Sequence, residues 1–221
     1  MKNTGPAVIF DMDGVLVDSE PIHKKADVAV FRTVGLEVPV EVLQEYAGTG
    51  ADVFFDAVLR RFGVTGDVAH LRQEKNRILA GLLREKAPAV PGALDLLARV
   101  EALGWKKAVA SSSDEAIVGL VLERMGIAGR FDAVVTGDRV SRGKPAPDVF
   151  LEAARALAVV PGRCVVVEDA GSGVSAALAA GMRCIGFRNP LSGNQDLSRA
   201  HRIVESLDAV DAALLRAFMD A

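Results

Sequence analysis

The sequence predicts an α/β protein whose core is a doubly wound, Rossmann-like parallel sheet, with an inserted small α-helical domain. Short apolar runs rich in Val and Ile recur along the chain without alternating with polar residues, which is typical of strands buried on both faces of a parallel sheet. Segments with helical spacing of apolar residues separate these runs. The connection between the first two runs is much longer than the roughly 30 residues that a whole βαβ unit needs.

The core elements follow from these patterns in chain order. The apolar runs predict strands at residues 7–10, 107–110, 133–136, 164–167 and 184–187. Helices are predicted at residues 93–103, 117–125, 149–157 and 174–180, and a closing amphipathic helix at residues 209–218. Ile117, Val121 and Met125, for example, recur at intervals that place them on one helix face. Strands and helices thus alternate, as a doubly wound sheet requires.

The long first connection predicts a separate helical bundle. Residues 26–34, 53–62 and 71–83 have helical periodicity, and glycines and a proline interrupt them. The second joint, residues 87–91, contains prolines, as linkers often do. We therefore assign residues 1–18 and 87–221 to the α/β core and residues 19–86 to the helical domain.

Composition limits the function classes. The formal net charge of −3 gives no support for nucleic acid or a membrane surface as partner. No signal peptide or membrane-spanning stretch is visible. Cys164 and Cys184 lie in apolar runs and are expected to be reduced core residues. We expect a soluble, cytoplasmic protein; the sequence leaves the oligomeric state open, with a monomer as the simplest expectation.

Polar side chains follow three of the predicted strands, where ligands bind in open α/β sheets. Strand one is followed by Asp11-Met12-Asp13-Gly14, the second by Ser111-Ser112-Ser113, and the fourth by Glu168-Asp169. Lys144 stands before Pro145, where a helix is expected to start. Each element alone has a simpler explanation: a turn, a surface lysine or a solvated loop, and Ser113 or Asp114 is expected to cap a helix. Their joint placement favours a site.

This set of residues suits phosphoryl transfer. A carboxylate and a phosphate are both anionic, so attack of one on the other needs a divalent cation between them. Asp11 and Asp169 offer hard oxygen ligands for Mg²⁺, and Asp13 can exchange a proton with the leaving group and then with water. Ser111 and Lys144 can hold phosphate oxygens.

At these residues the chain resembles the haloacid dehalogenase superfamily, in the branch of β-phosphoglucomutase and sugar-phosphate phosphatases. The matching stretches are residues 10–19 (FDMDGVLVDS), 110–113 (ASSS), 143–150 (GKPAPDVF) and 167–173 (VEDAGSG). The resemblance implies that the helical domain is a cap that sets specificity for a small phosphorylated metabolite. Within this superfamily, Asp13 also argues against a true dehalogenase, which lacks that acid and the metal.

The resemblance also implies a role for each matching residue. Asp11 would be the nucleophile and Asp13 the general acid and base. Ser111, Ser112 and Lys144 would bind phosphate. Mg²⁺ would be held by Asp11, the main-chain oxygen of Asp13, and Asp169. Glu168 would either bind the ion directly or support the residues that bind it.

The cap residues match the mutases of the branch only in part. His23 and Lys75 fall where β-phosphoglucomutase has a histidine and a lysine that face the substrate. The mutase arginine that grips a second phosphate should fall near Gly48-Thr49-Gly50-Ala51, and none is there. We therefore predict a phosphatase for a sugar or polyol phosphate, with a phosphosugar mutase as the alternative. Arg60, Arg61 or Arg77 could bind that second phosphate instead.

Two functions of other classes are less favoured. Residues 171–176 (GSGVSA) satisfy the dinucleotide-binding pattern after a strand. Glu168 and Asp169, however, would repel a pyrophosphate, and the next strand lacks the ribose-binding acid. A non-catalytic relative that only binds a partner is disfavoured by the complete set of reactive residues.

Overall fold

The computed structural model describes residues 5–46 and 51–220. Contacts between residues divide the chain into two compact units. The sheet unit comprises Met1–Asp18 and Pro88–Ala221, and the helical unit comprises Ser19–Ala87. Each unit has a hydrophobic core of its own.

The sheet unit contains one parallel sheet, which confirms the predicted fold class. Its strands are β1 (Ala7–Phe10), β2 (Lys106–Ala110), β3 (Ala133–Val135), β4 (Cys164–Glu168), β5 (Arg183–Phe187) and β6 (Arg202–Val204). Their order across the sheet is β3-β2-β1-β4-β5-β6, and every neighbouring pair is parallel. β6 was not predicted, because an edge strand of three residues is too short to show a pattern.

The helices, in chain order, are α1 (Glu20–Arg32), α2 (Val40–Gln44), α3 (Ala51–Arg61), α4 (Val68–Glu85), α5 (Ala93–Ala102), α6 (Glu115–Arg124), α7 (Asp148–Leu157), α8 (Gly171–Ala179) and α9 (Ala212–Asp220). The first four belong to the helical unit and the others to the sheet unit. None of the described helices combines the length and the apolar character needed to span a membrane.

Strand register places the ends of β1, β2 and β4 side by side. Phe10 pairs with Val109 on one side and with Val167 on the other. The amide of Asp11 continues this pattern by donating to the Val167 carbonyl at 3.0 Å, and the amide of Ser111 donates to Val135 at 3.0 Å. The residues after these strands therefore start from one edge of the sheet.

Helices of the sheet unit pack on the strands through small and branched apolar side chains. Ile9, Val166 and Phe150 belong to one buried cluster, so the strands and α7 share that core. Cys164 and Cys184 are buried and free, as predicted. Burial raises the pKa of the Cys164 thiol to about 12, and a thiol that stays protonated is unreactive.

The helical unit is held by aromatic and aliphatic packing. Phe31 of α1 and Phe55 of α3 are fully buried, with ring centroids 5.6 Å apart. Asp67 caps α4, because its carboxylate accepts from the amide of Ala69 at 2.9 Å. The sequence did not predict the short helix α2, since five residues give too little periodicity.

Candidate active site

Three buried carboxylates meet at the ends of β1 and β4. Asp11, Glu168 and Asp169 each offer an oxygen, and these oxygens all lie within 4.8 Å of one another. Like charges so close together and so little hydrated are costly unless a cation or protons offset them. Carboxylate oxygens are the hard donors that Mg²⁺ takes from proteins, usually one or two beside waters and substrate phosphate, so the cluster offers enough ligands for that ion.

Lys144 supplies one positive charge to this cluster. Its Nζ lies 2.5 Å from Asp11 Oδ1 and 2.7 Å from Glu168 Oε1, and it also donates to the Ala110 carbonyl at 3.2 Å. Only 7% of its side chain is exposed, and Nζ lies 4.9 Å from the centre of the Phe150 ring. The simpler explanation of Lys144 as a surface lysine is therefore wrong.

The backbone at Lys144 also differs from the prediction. α7 starts at Asp148, not beside Pro145. Two prolines, Pro145 and Pro147, lack amide hydrogens and disfavour helical conformation in the residue before each of them. Lys144 thus lies in an irregular segment, from which its long side chain reaches back to the carboxylates.

The pKa values follow from burial and charge. Burial raises the pKa of Asp11 to about 7. The negative charges of Glu168 and Asp13 act in the same direction, and the positive charge of Lys144 acts against them. Burial by itself lowers the pKa of Lys144, but the charges of Asp11 and Glu168 outweigh burial and raise it above its ordinary value. Lys144 therefore stays protonated, and an additional cation would favour the ionised form of Asp11.

Asp13 contacts the serine segment after β2. Ser113 Oγ donates to Asp13 Oδ2 at 3.0 Å, and the Ser113 amide donates to Ser111 Oγ at 3.0 Å. The sequence predicts Ser113 or Asp114 as a helix cap; Asp114 occupies the N-cap position of α6, although its side chain makes no capping hydrogen bond. Ser111 is buried, whereas Ser112 is exposed.

Two glycines leave space for the side chains of Asp169 and Glu168. A Cβ on Gly14, which has a φ of +76°, would lie 2.0 Å from Asp169 Oδ2. A Cβ on Gly173 would lie 1.6 Å from Glu168 Oε1. The amide of Ala170 donates to Glu168 Oε2 at 2.8 Å. The glycine pattern of residues 171–176 thus accommodates Glu168, in the place where a dinucleotide site would need its pyrophosphate.

Sequence reasoning missed a segment after β5 that reaches this site. Ser192 Oγ donates to Asp169 Oδ2, and Asn189 Nδ2 donates to the Gly14 carbonyl at 2.8 Å. A signal was present, since residues 189–195 (NPLSGNQ) contain two asparagines, a serine and a glutamine and follow a strand of the same sheet. Such residues are common in ordinary turns, however, so the sequence alone does not assign them to the site.

The predicted cap residues belong to the helical unit. Lys75 Nζ lies 2.5 Å from Asp27 Oδ1, with both side chains largely buried, and 5.6 Å from the centre of the Phe54 ring. His23 is partly buried in α1. The predicted gap at Gly48-Thr49-Gly50 falls outside the described residues, as does the side chain of Ala51.

The sequence offers three arginines of the helical unit as replacements for the mutase arginine. Each forms an ion pair with a carboxylate of the same unit: Arg60 with Asp56, Arg61 with Glu45 and Arg77 with Glu74. These pairs are exposed and therefore weak.

Comparisons with known proteins agree with the motifs. The model of the haloacid dehalogenase-like hydrolase family matches residues 6–181. The chloroplastic protein SUPPRESSOR OF QUENCHING 1 of Arabidopsis thaliana is 42% identical over 190 residues, which are 84% of this chain but only 18% of that protein. Fructose-1-phosphate phosphatase YqaB of Escherichia coli (strain K12) is 34% identical over 183 residues, or 82% of this chain and 95% of that protein.

A solved structure is similar over nearly the whole chain. The crystal structure of CbbY from Rhodobacter sphaeroides in complex with phosphate has a TM-score of 0.86 and 29% sequence identity. The match covers 96% of this chain and 100% of the CbbY chain.

Proposed function

Because this chain belongs to the haloacid dehalogenase-like hydrolases, we propose that it is a Mg²⁺-dependent phosphatase that hydrolyses a sugar or polyol phosphate through a phosphorylated Asp11. The observation that carries this proposal is the buried cluster of Asp11, Glu168 and Asp169, with Lys144 in contact with the first two. Three carboxylates against one ammonium leave a net negative site, which needs a divalent cation before it can accept a phosphate.

In this proposal Asp11, Asp169 and the main-chain oxygen of Asp13 hold Mg²⁺, with Glu168 beside them. When bound, the ion offsets the charge between the nucleophile and the substrate phosphate. Lys144 and Ser111 bind phosphate oxygens, and Ser112 contributes from the same segment. Lys144 also fixes Asp11, because a short ion pair leaves that carboxylate little freedom to rotate.

The reaction has two steps. A carboxylate oxygen of Asp11 attacks phosphorus, the bond from phosphorus to the substrate oxygen breaks, and that oxygen takes a proton from Asp13. A water molecule then gives a proton to Asp13 and attacks phosphorus, which releases inorganic phosphate and restores the Asp11 carboxylate. The hydrogen bond from Ser113 supports this role, since it orients the carboxyl group of Asp13.

The substrate class rests on a relative and on the helical unit. The similar protein from Escherichia coli is named a fructose-1-phosphate phosphatase, so a phosphorylated sugar or polyol is the substrate that we propose. His23 and Lys75 of the helical unit would set specificity by orienting substrate hydroxyls. The contact between Lys75 and Asp27 supports this, because an ammonium already paired with a carboxylate suits a hydroxyl better than a second phosphate.

A panel of phosphate esters tests the proposal. We expect release of inorganic phosphate from sugar and polyol phosphates, its loss on chelation of Mg²⁺, and its loss in Asp11→Asn. The mutase alternative is tested with β-glucose 1-phosphate and a trace of the bisphosphate, by following glucose 6-phosphate and free phosphate together. Fast formation of glucose 6-phosphate with little free phosphate would favour the mutase.

A further inference from the structure

The acidic residues of the site lie at the ends of β1 and β4 and in the segments that follow them, which we call the acidic loops. The segment after β5, residues 189–195, forms hydrogen bonds to both of them; we call it the β5 loop. Asn189 Nδ2 donates to the Gly14 carbonyl at 2.8 Å, in a buried position. The side-chain oxygen of Asn189 accepts a hydrogen bond from the main-chain amide of Leu191 at 2.8 Å. Asn189 therefore ties the loop to the turn after Asp13 and shapes the loop itself.

Ser192 of this loop lies against Asp169. Its hydroxyl donates to Asp169 Oδ2, and the two residues are only 8% and 4% exposed. A Cβ on Gly14 would lie 2.9 Å from Ser192 Oγ and 2.0 Å from Asp169 Oδ2. The hydroxyl, the carboxylate and the bare Gly14 backbone thus fill one small space.

Gln195 holds the other end of the β5 loop. Its side-chain oxygen accepts from the Gly171 amide at 3.3 Å, and its side-chain nitrogen donates to the Ser192 carbonyl at 3.1 Å. Gly171 begins α8, two residues after Asp169. The loop is therefore hydrogen-bonded to Gly14 near its start and to Gly171 at its end, and Ser192 lies between these two attachments in the chain.

A buried carboxylate with a hydrogen bond at one oxygen has a fixed rotamer and can present its other oxygen to a cation. We propose that Ser192 is a positioning residue that fixes Asp169 for Mg²⁺, and that Asn189 keeps Ser192 in place. This inference rests on the proposed function, because it assumes that Asp169 is a metal ligand. Groups that orient metal ligands typically account for about 10–100-fold in metal affinity.

The test is the melting temperature of the full chain as a function of Mg²⁺ concentration, without substrate. This measurement reports metal affinity independently of turnover, because an ion that binds only the folded state raises the melting temperature. We expect Ser192→Ala to shift the Mg²⁺ titration to about 10–100-fold higher concentration. Ser192→Thr, which keeps the hydroxyl, should shift it less, and Asn189→Ala should shift it in the same direction as Ser192→Ala.

Ser198→Ala is the matched control, since it makes the same chemical change at an exposed serine six residues further on. It should titrate like the wild type. The inference is overturned if Ser192→Ala also titrates like the wild type while Asp169→Ala abolishes the response to Mg²⁺, and the proposed function then stands. If the wild type itself shows no response to Mg²⁺, both the inference and the proposed metal dependence fail.

Discussion

Replacement of Lys144 by methionine tests the electrostatics of the site most sharply. Methionine keeps much of the apolar length beside Phe150 but removes the ammonium that lies 2.5 Å from Asp11 and 2.7 Å from Glu168. The carboxylates then remain buried without their cation. In the metal-free protein this should destabilise the fold strongly, because the uncompensated charges cannot regain water.

The magnitude follows from the burial of the pair. Removing one partner of a buried ion pair costs about 3–5 kcal/mol, and a chain of this size loses about 2–4 °C in melting temperature per kcal/mol. Lys144→Met should therefore melt about 6–20 °C below the wild type without metal, near pH 8. The loss should shrink at lower pH, because Asp11, whose pKa is already raised to about 7, becomes neutral by taking a proton.

The assay is thermal unfolding with and without Mg²⁺, with Lys106→Met as the control. Lys106 Nζ lies 3.1 Å from Asp132, but its side chain is 41% exposed. A surface pair is worth at most about 1 kcal/mol, so the control should melt within a few degrees of the wild type. Mg²⁺ should reduce the difference in melting temperature between Lys144→Met and the wild type. Equal losses in the two variants without metal would refute the argument.

Three further predictions concern the acidic loops. Since the folded protein holds a proton on Asp11 that the unfolded chain releases, metal-free stability should fall as pH rises from about 4 to about 7; a wild-type melting curve no more pH-dependent than that of Asp11→Asn would contradict this. Gly14→Ala should raise the Mg²⁺ concentration needed for half-maximal phosphate release, because its Cβ would lie 2.0 Å from Asp169 Oδ2. Gly104→Ala, which has a similar positive φ but open space, should leave that concentration unchanged, and equal Mg²⁺ requirements would refute the steric cause. Asp13→Asn should slow hydrolysis of alkyl phosphates by about 10²–10⁴-fold but affect nitrophenyl phosphate less; equal slowing of both would exclude the acid role.

The sequence predicted the sheet and its acidic edge because both depend on local patterns. The apolar run of β4 ends in Glu168-Asp169, and that of β1 ends in Asp11. Parallel strands bring such ends together whatever the details of the loops. The family resemblance, carried by the same short stretches, was confirmed by the match over residues 6–181.

The contacts that the sequence did not predict join residues far apart in the chain. The sequence predicts Ser113 or Asp114 as a local helix cap, but the Ser113 hydroxyl donates to Asp13, 100 residues earlier. Asn189 bonds to Gly14 across 175 residues, and Ser192 to Asp169 across 23. Serine and asparagine are common in loops for local reasons, so residue type alone does not distinguish such a partner from an ordinary turn.

Chemical trapping of the covalent intermediate tests the central claim most directly. The enzyme is mixed with a sugar phosphate that it hydrolyses and Mg²⁺, treated with borohydride during turnover, digested, and examined by mass spectrometry. Borohydride reduces an aspartyl phosphate to homoserine. The proposed mechanism predicts this conversion at Asp11, in amounts that depend on both substrate and Mg²⁺. Phosphate release without reduction of Asp11, or reduction at another carboxylate, would contradict it.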